Sequence, residues 1–221
     1  MAGNRQGMLV LAGGRSSRMG RDKAWLEVDG EAALVRVVRA GLDAGVHHVV
    51  VVGSLGQSLP ALPPGVERCD DPVDRDHEGP LSGLAAGLHH LAQREVDVAC
   101  LAPCDSLWLD AEHVRFVLRF LLREPELAAV VPETEPAADR PRVLHPLCSA
   151  VRVQVAWSEA RALLLSGQRA ARALLLALDA RRIPVQTLPQ PRVVEGCNTP
   201  QQWARAVAEL RLRSDPLPAV E

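Results

Sequence analysis

The sequence predicts an α/β protein with a mostly parallel central sheet and helices on both faces. Short apolar or β-branched runs alternate with segments whose apolar residues recur at helical spacing. Glycines and prolines mark several of the joins. The 221 residues, 48% of them hydrophobic, suffice for one sizeable core. A single domain over 1–221 follows, with a core of about 8–212 and flexible tails at 1–7 and 213–221.

Met8–Ala12 reads as a buried strand that runs into Gly13 and Gly14. Glu31–Ala44 reads as a helix ending near Gly45, and His48–Val52 as a second strand. A helix over Leu81–Ala92 opens just after Gly79 and Pro80, and Val96–Leu101 is strand-like up to Pro103. Asp110 is placed to cap a helix running to Leu122, followed by a strand over Leu127–Val131. Glu133–Arg142, rich in prolines and acids, reads as an exposed loop. Val143–Val151 reads as a strand interrupted at Pro146, and Ser158–Leu165 and Ala170–Leu178 as two helices. Arg182–Leu188 reads as a late strand and Pro200–Leu212 as a helix with proline in its first turn.

A 24% charged fraction and a net charge of −2 exclude a general nucleic-acid surface. Any anion site must be local, built from a loop and a few cations. No apolar stretch approaches a membrane span, and the polar N-terminus lacks the run of a secretory signal, so a cytoplasmic location is the expectation. The five scattered cysteines point to reduced, mostly buried thiols rather than a disulfide framework or a zinc site.

The most informative stretch is LAGGRSSRMGRDK, Leu11 to Lys23, directly after the first strand. Adjacent glycines let the backbone turn sharply, and exposed amides in such a turn make an anion-binding concavity. Arg15, Arg18 and Lys23 bring positive charge to the same loop. It is neither a Walker A loop nor a dinucleotide fingerprint, because GxxxxGK[ST] and GxGxxG are absent. Arg18 has three readings: phosphate contact, surface charge, or a salt bridge shaping the loop. Asp105 follows a buried strand, where open α/β sheets place ligands, and can either hold Mg2+ or cap a turn. Asp71 can contact a nucleotide or initiate a turn with Pro72. The four tryptophans read as packing, and the adjacent His89 and His90 cannot share a helix face.

The stretch LAGGRSSRMGRDKA resembles the signature of the molybdenum cofactor guanylyltransferases. The resemblance implies a three-layer Rossmann-like nucleotidyltransferase fold. It also implies that Leu11, Ala12, Gly13, Gly14 and Lys23 bind the phosphates of GTP. Asp71, Gly79, Pro80 and Leu81 fall in stretches similar to the family's Asp and GPLAG, which lie around guanine and ribose; Asp70 is an equal candidate for that Asp. Asp105 matches the aspartate of PCD, implying a Mg2+ ligand. Asn198 matches the family's NTP and His145 its HPL, implying a side for the pterin, although His145 also reads as a local structural residue.

Two departures stand out. Gly53 and Ser54 lie where the family often has an Asn, and the family's PCDxP becomes Pro103-Cys-Asp-Ser-Leu107, with no second proline. The implied reaction transfers GMP from GTP to molybdopterin or Mo-molybdopterin, with Lys23, Asp105 and Arg18 as its catalytic residues. Molybdoenzymes or other proteins of the cofactor pathway are the implied protein partners. Rival readings are a relative using CTP or a sugar phosphate, and a non-catalytic carrier of the cofactor.

Overall fold

The computed structural model describes residues 4–13, 19–20, 22–71, 79–136 and 141–214. The expectations placed on Gly14 and Arg18 fall outside them. The chain forms β1 (Gln6–Leu11), a hairpin of β2 (Glu27–Val28) and β3 (Glu31–Ala32), α1 (Ala33–Ala44), β4 (His48–Ser54) and β5 (Val66–Asp71). It continues through α2 (Leu81–Ala92), β6 (Val98–Pro103), α3 (Ala111–Arg123), β7 (Ala129–Thr134), β8 (Val143–Leu144) and β9 (Ala150–Arg152). The last elements are α4 (Val153–Leu165), α5 (Ala171–Ala177), β10 (Arg181–Pro184) and α6 (Pro200–Ser214).

The main sheet has eight strands, in the order β10-β7-β9-β6-β1-β4-β5, with β8 on β7. The run β6-β1-β4-β5 is parallel, as is β7-β10; β9 is antiparallel between β6 and β7. This is the mostly parallel α/β architecture expected. Alternation along β1 explains the layers. Met8, Val10 and Ala12 join α1 and α3 on one face, whereas Leu9 and Leu11 join α2, α4 and α5 on the other. A third apolar cluster unites Met19, the hairpin and α6 with Leu107 and Trp108.

Helix ends follow local chemistry. The Asp110 carboxylate accepts from the His113 amide and caps α3. Gly45, at φ 80°, ends α1 in the left-handed region and donates to carbonyls of its last turn.

Several expectations need correction. Gln6 and Gly7 belong to β1, and the Arg5 amide donates to Asp97, so the ordered core begins before residue 8. At the other end α6 runs through Ser214. Helix α1 starts at Ala33 because Asp29 and Gly30, both at positive φ, turn residues 27–32 into a hairpin. Glu133 and Thr134 end β7, and Glu133 is buried rather than in an exposed loop. The strand expected to break at Pro146 does so, as β8 and β9 on either side of a 3-10 turn at Pro146–Cys148, whereas the late strand gives way to another such turn at Val185.

Candidate functional site

Strands β1 and β6 are neighbours, yet their chains leave in opposite directions along the sheet. The first proceeds to β4 and the second to β7. Their C-terminal ends therefore border a crevice of the kind in which open α/β sheets bind ligands. Leu11 pairs with both Pro103 of β6 and Val52 of β4, so the three strand ends are level.

Into this crevice come three side chains far apart in sequence. The Lys23 Nζ lies 2.6 Å from Asp105 Oδ2 and 3.1 Å from Asn198 Oδ1. Asp105 is 7% exposed, so its charge is held largely away from water and depends on such partners.

Each of the three is positioned by recognisable chemistry. Lys23 opens a 3-10 turn, Lys23–Trp25, whose N-cap is Asp22; the Asp22 carboxylate accepts from the Ala24 amide at 3.0 Å. Asp105 lies in a tight turn after β6, in which Leu107 N donates to Asp105 O and Leu109 N to Ser106 O. Ser106, the residue after Asp105, is buried and donates its hydroxyl to Val193 O at 3.1 Å. That bond ties the Asp105 turn to the 3-10 segment Pro191–Val194, and Arg192 of that segment stacks over the Trp108 ring at 3.7 Å. Asn198 then precedes α6. Thr199 and Gln202 exchange bonds in a capping box: Gln202 N donates to Thr199 Oγ1, and Thr199 N to Gln202 Oε1. In Asn198-Thr199-Pro200, threonine and proline start the helix, which leaves the asparagine side chain to face Lys23.

The flank beyond β4 carries the second group of expected residues. Alternation along β5 turns Asp70 and Asp71 to opposite faces. Asp70 pairs with Arg68, whereas Asp71 accepts the Ser82 hydroxyl at 2.7 Å beside the start of α2. A helix N-terminus favours a carboxylate there. Gly79 holds φ 116°, and a Cβ on it would meet the Arg169 carbonyl oxygen at 2.5 Å, so both conformation and space demand glycine. Leu81 N donates to that same carbonyl, which fixes the entry to α2 against the link between α4 and α5. Ala12 and Gly13 donate their amides to Val52 O at 2.8 and 3.3 Å.

His145 is brought elsewhere. Its Nε2 lies 2.8 Å from Thr134 Oγ1, at a corner formed by β7 and β8, and its amide donates to Pro132 O. Burial lowers its pKa. In the same corner Glu133 is paired with Arg142 and Arg182.

Burial disfavours the thiolate form of the thiols near Asp105. Burial raises the pKa of Cys104, Cys148 and Cys197, the Asp105 charge adds to each shift, and Cys148 is pushed up to about 12. Of the tryptophans, Trp108 and Trp203 are packed in the cluster beside α6, Trp157 stacks on His89, and Trp25 is partly exposed. The sequence reading passed over Gln57, a buried amide that bridges the start and end of the loop after β1. Its position just past β4 was the only available signal.

The comparisons with known proteins agree with this geometry. Residues 8–182 match the model of the MobA-like NTP transferase domain. The chain is 32% identical over 204 residues to a molybdenum cofactor guanylyltransferase of Xanthomonas euvesicatoria pv. vesicatoria (strain 85-10), covering 91% of this chain and 94% of that protein. It is likewise 32% identical to a probable molybdenum cofactor guanylyltransferase of Mycobacterium avium (strain 104), covering 92% and 95%. Among solved structures, molybdopterin-guanine dinucleotide biosynthesis protein A from Archaeoglobus fulgidus superposes with a TM-score of 0.71 at 19% identity, covering 93% of this chain and 99% of that one. A nucleotidyl transferase from Methanothermobacter gives 0.68 at 20% identity, covering 96% and 100%. These two solved structures speak for the fold. The family match over most of the chain, on a sheet edge that gathers Lys23, Asp105 and Asn198, makes this protein a member of the MobA-like NTP transferase family.

Proposed function

We propose that this chain transfers GMP from GTP to the terminal phosphate of molybdopterin, with Mg2+ bound at Asp105. The observation that carries the reading is the meeting of Lys23, Asp105 and Asn198 at one strand edge. The names of the relatives supply the nucleotide and the acceptor.

The donor set suits Mg2+. A hard dication takes oxygen ligands and is commonly held by one or two carboxylates together with phosphate oxygens. Asp105 offers a buried carboxylate and Asn198 an amide oxygen, and the Lys23 ammonium between them marks the place as one that attracts a cation. Among the described residues no group of three or more His, Cys, Asp or Glu side chains is arranged to hold a metal alone, so substrate oxygens would complete the shell. When bound, the ion neutralises charge on the triphosphate.

The protein's own part is alignment and charge. A phosphate oxygen of the acceptor attacks the α-phosphorus of GTP, the bond to the β-phosphate oxygen breaks, and pyrophosphate leaves. The attacking phosphate is already anionic near neutral pH, so no protein base is needed. Lys23, on its flexible stem, turns from Asp105 towards the departing pyrophosphate and neutralises part of its charge. Asp71, beside the start of α2, faces the nucleoside.

Pyrophosphate release should be measured with molybdopterin and each of GTP, CTP and ATP. Release with GTP in clear excess over the other two is expected. Equal release with all three removes the guanine assignment, and CTP preference moves the chain to a cytidylyl reaction.

A further inference from the structure

Gln57 is 7% exposed and carries no charge, yet it is bonded on every side. Its Nε2 donates to Ala12 O at 3.1 Å and to Asp22 Oδ2 at 2.6 Å, and its Oε1 accepts from the Ser54 amide at 2.8 Å. Both partners of Nε2 are acceptors and the partner of Oε1 is a donor, so the amide has one satisfactory orientation. Ala12 and Asp22 are the two stems of the glycine-cation loop, and Ser54 ends β4.

The surrounding sequence is shaped to seat this side chain. Gln57 N donates to Ser54 O, closing a turn whose third residue, Gly56, holds φ 70°, as a type II turn requires. A Cβ on Gly53 would lie 3.2 Å from Gln57 Oε1, closer than most such contacts tolerate, so glycine at 53 leaves room for the amide. Gly53 and Ser54 stand where the family's pattern has an asparagine.

We infer that Gln57 is a positioning residue for polyphosphate: it clasps the two stems of the loop to each other and to β4, and acts on the substrate through Asp22. Asp22 spends one carboxylate oxygen on Gln57 and the other on the Ala24 amide, so it connects the clasp to the turn that presents Lys23. With the clasp broken, the stems lose their fixed separation and Lys23 its fixed approach. The inference rests on the nucleotide-transfer reading above and adds a residue that touches neither substrate.

The test reverses the polarity of one bond. In Q57E the carboxylate faces the Asp22 carboxylate and the Ala12 carbonyl with no proton to offer; Arg68, whose Nη2 reaches Ser54 O at 3.5 Å, is the nearby cation. In D22N two amide groups meet, and the asparagine cannot serve both Gln57 and Ala24 as acceptor. In the double variant Q57E/D22N the asparagine amide donates to the new carboxylate while its oxygen still caps Ala24. Calorimetry with Mg2+ should follow binding of pyrophosphate, which lacks the nucleoside, and of GTP.

Each single variant is expected to weaken pyrophosphate binding by about tenfold, the cost of one buried unsatisfied group, and the double variant to bind more tightly than Q57E without reaching wild type, because the Ala12 carbonyl still lacks its donor. Single variants that bind as wild type does, or a double variant carrying both losses multiplied, would overturn the clasp. Should Q57E not fold, the double variant still decides: its folding is the rescue that supports the clasp, and a double variant that also fails to fold overturns it. Wild type that binds neither pyrophosphate nor GTP refutes the nucleotide-transfer reading itself, and the inference with it.

Discussion

The crevice between β1 and β6 and the corner at β7 and β8 both bury a carboxylate at the C-terminal edge of a strand, and they treat it differently. Glu133 in the corner is held by two guanidiniums, Arg142 and Arg182, one from the chain just after β7 and one from β10. Asp105 in the crevice faces the Lys23 ammonium, which also reaches the Asn198 amide oxygen, both from distant parts of the chain. A guanidinium pair is a rigid, directional lock, whereas an ammonium on a four-carbon stem can leave for another anion. Under the proposed function, Glu133 is the structural charge and Asp105 the one held ready for exchange with substrate.

Exchanging charge for a neutral isostere at each place tests that contrast. Asp105→Asn should have the largest effect, a fall in turnover of about 10²–10³ with the fold intact, because it removes a group that organises charge around the reacting phosphate. Turnover unchanged at saturating Mg2+ would assign the metal elsewhere. Lys23→Ala should follow, with a higher KM for GTP and a lower kcat when molybdopterin is saturating, since a contact that strengthens as pyrophosphate leaves acts on both. A raised KM with unchanged kcat would make Lys23 a ground-state anchor, and wild-type kinetics would remove it from the site.

Glu133→Gln is expected to behave in the opposite sense. Turnover should persist while denaturant unfolding shows a loss of about 1–3 kcal/mol, because two arginines then share a neutral partner in a buried place. Loss of turnover at unchanged stability would move this corner into the active site.

Much of the fold was legible because buried parallel strands and amphipathic helices write themselves into sequence. Leu81–Ala92 appears as read, and Asp110 caps α3 as expected. Strand β5, Val66–Asp71, was missed because it lies at the sheet edge: its sequence VERCDD alternates half-buried and exposed positions without an apolar run. Helix α4 starts at Val153, five residues before the expected Ser158; the early start was not legible because its first turn carries two β-branched valines and no capping side chain. In the site, Lys23 and Asp105 were legible from motif and position. Their direct contact was not, because it depends on β1 and β6 being neighbours, a long-range fact. Gln57 was illegible for the same reason: its partners lie on loops that only the sheet brings together.

The smallest expected effect concerns pH and lies away from the crevice. His113 is fully buried with Nε2 against Cys148 O, and burial pushes its pKa from 6.5 down to about 4. The unfolded chain therefore takes up a proton in a range where the folded chain does not. Stability contributed by neutral His113 is complete above about 6.5 and is lost as pH falls towards 4. Burial lowers His90 and His145 in the same direction. Denaturant unfolding at pH 7, 6 and 5 should show falling stability, with a shallower slope in His113→Gln. An identical slope in that variant would assign the effect to other groups.

The central claim is that Lys23 and Asp105 mark a Mg2+-dependent GTP site, and calorimetric titration of GTP into wild type and Asp105→Asn, each with Mg2+ and with EDTA, tests it most directly. Tight binding is expected only for wild type with Mg2+, and weak binding by the variant that is the same with either addition. Equal GTP affinity in all four titrations, or a Mg2+ dependence that survives in the variant, would contradict it.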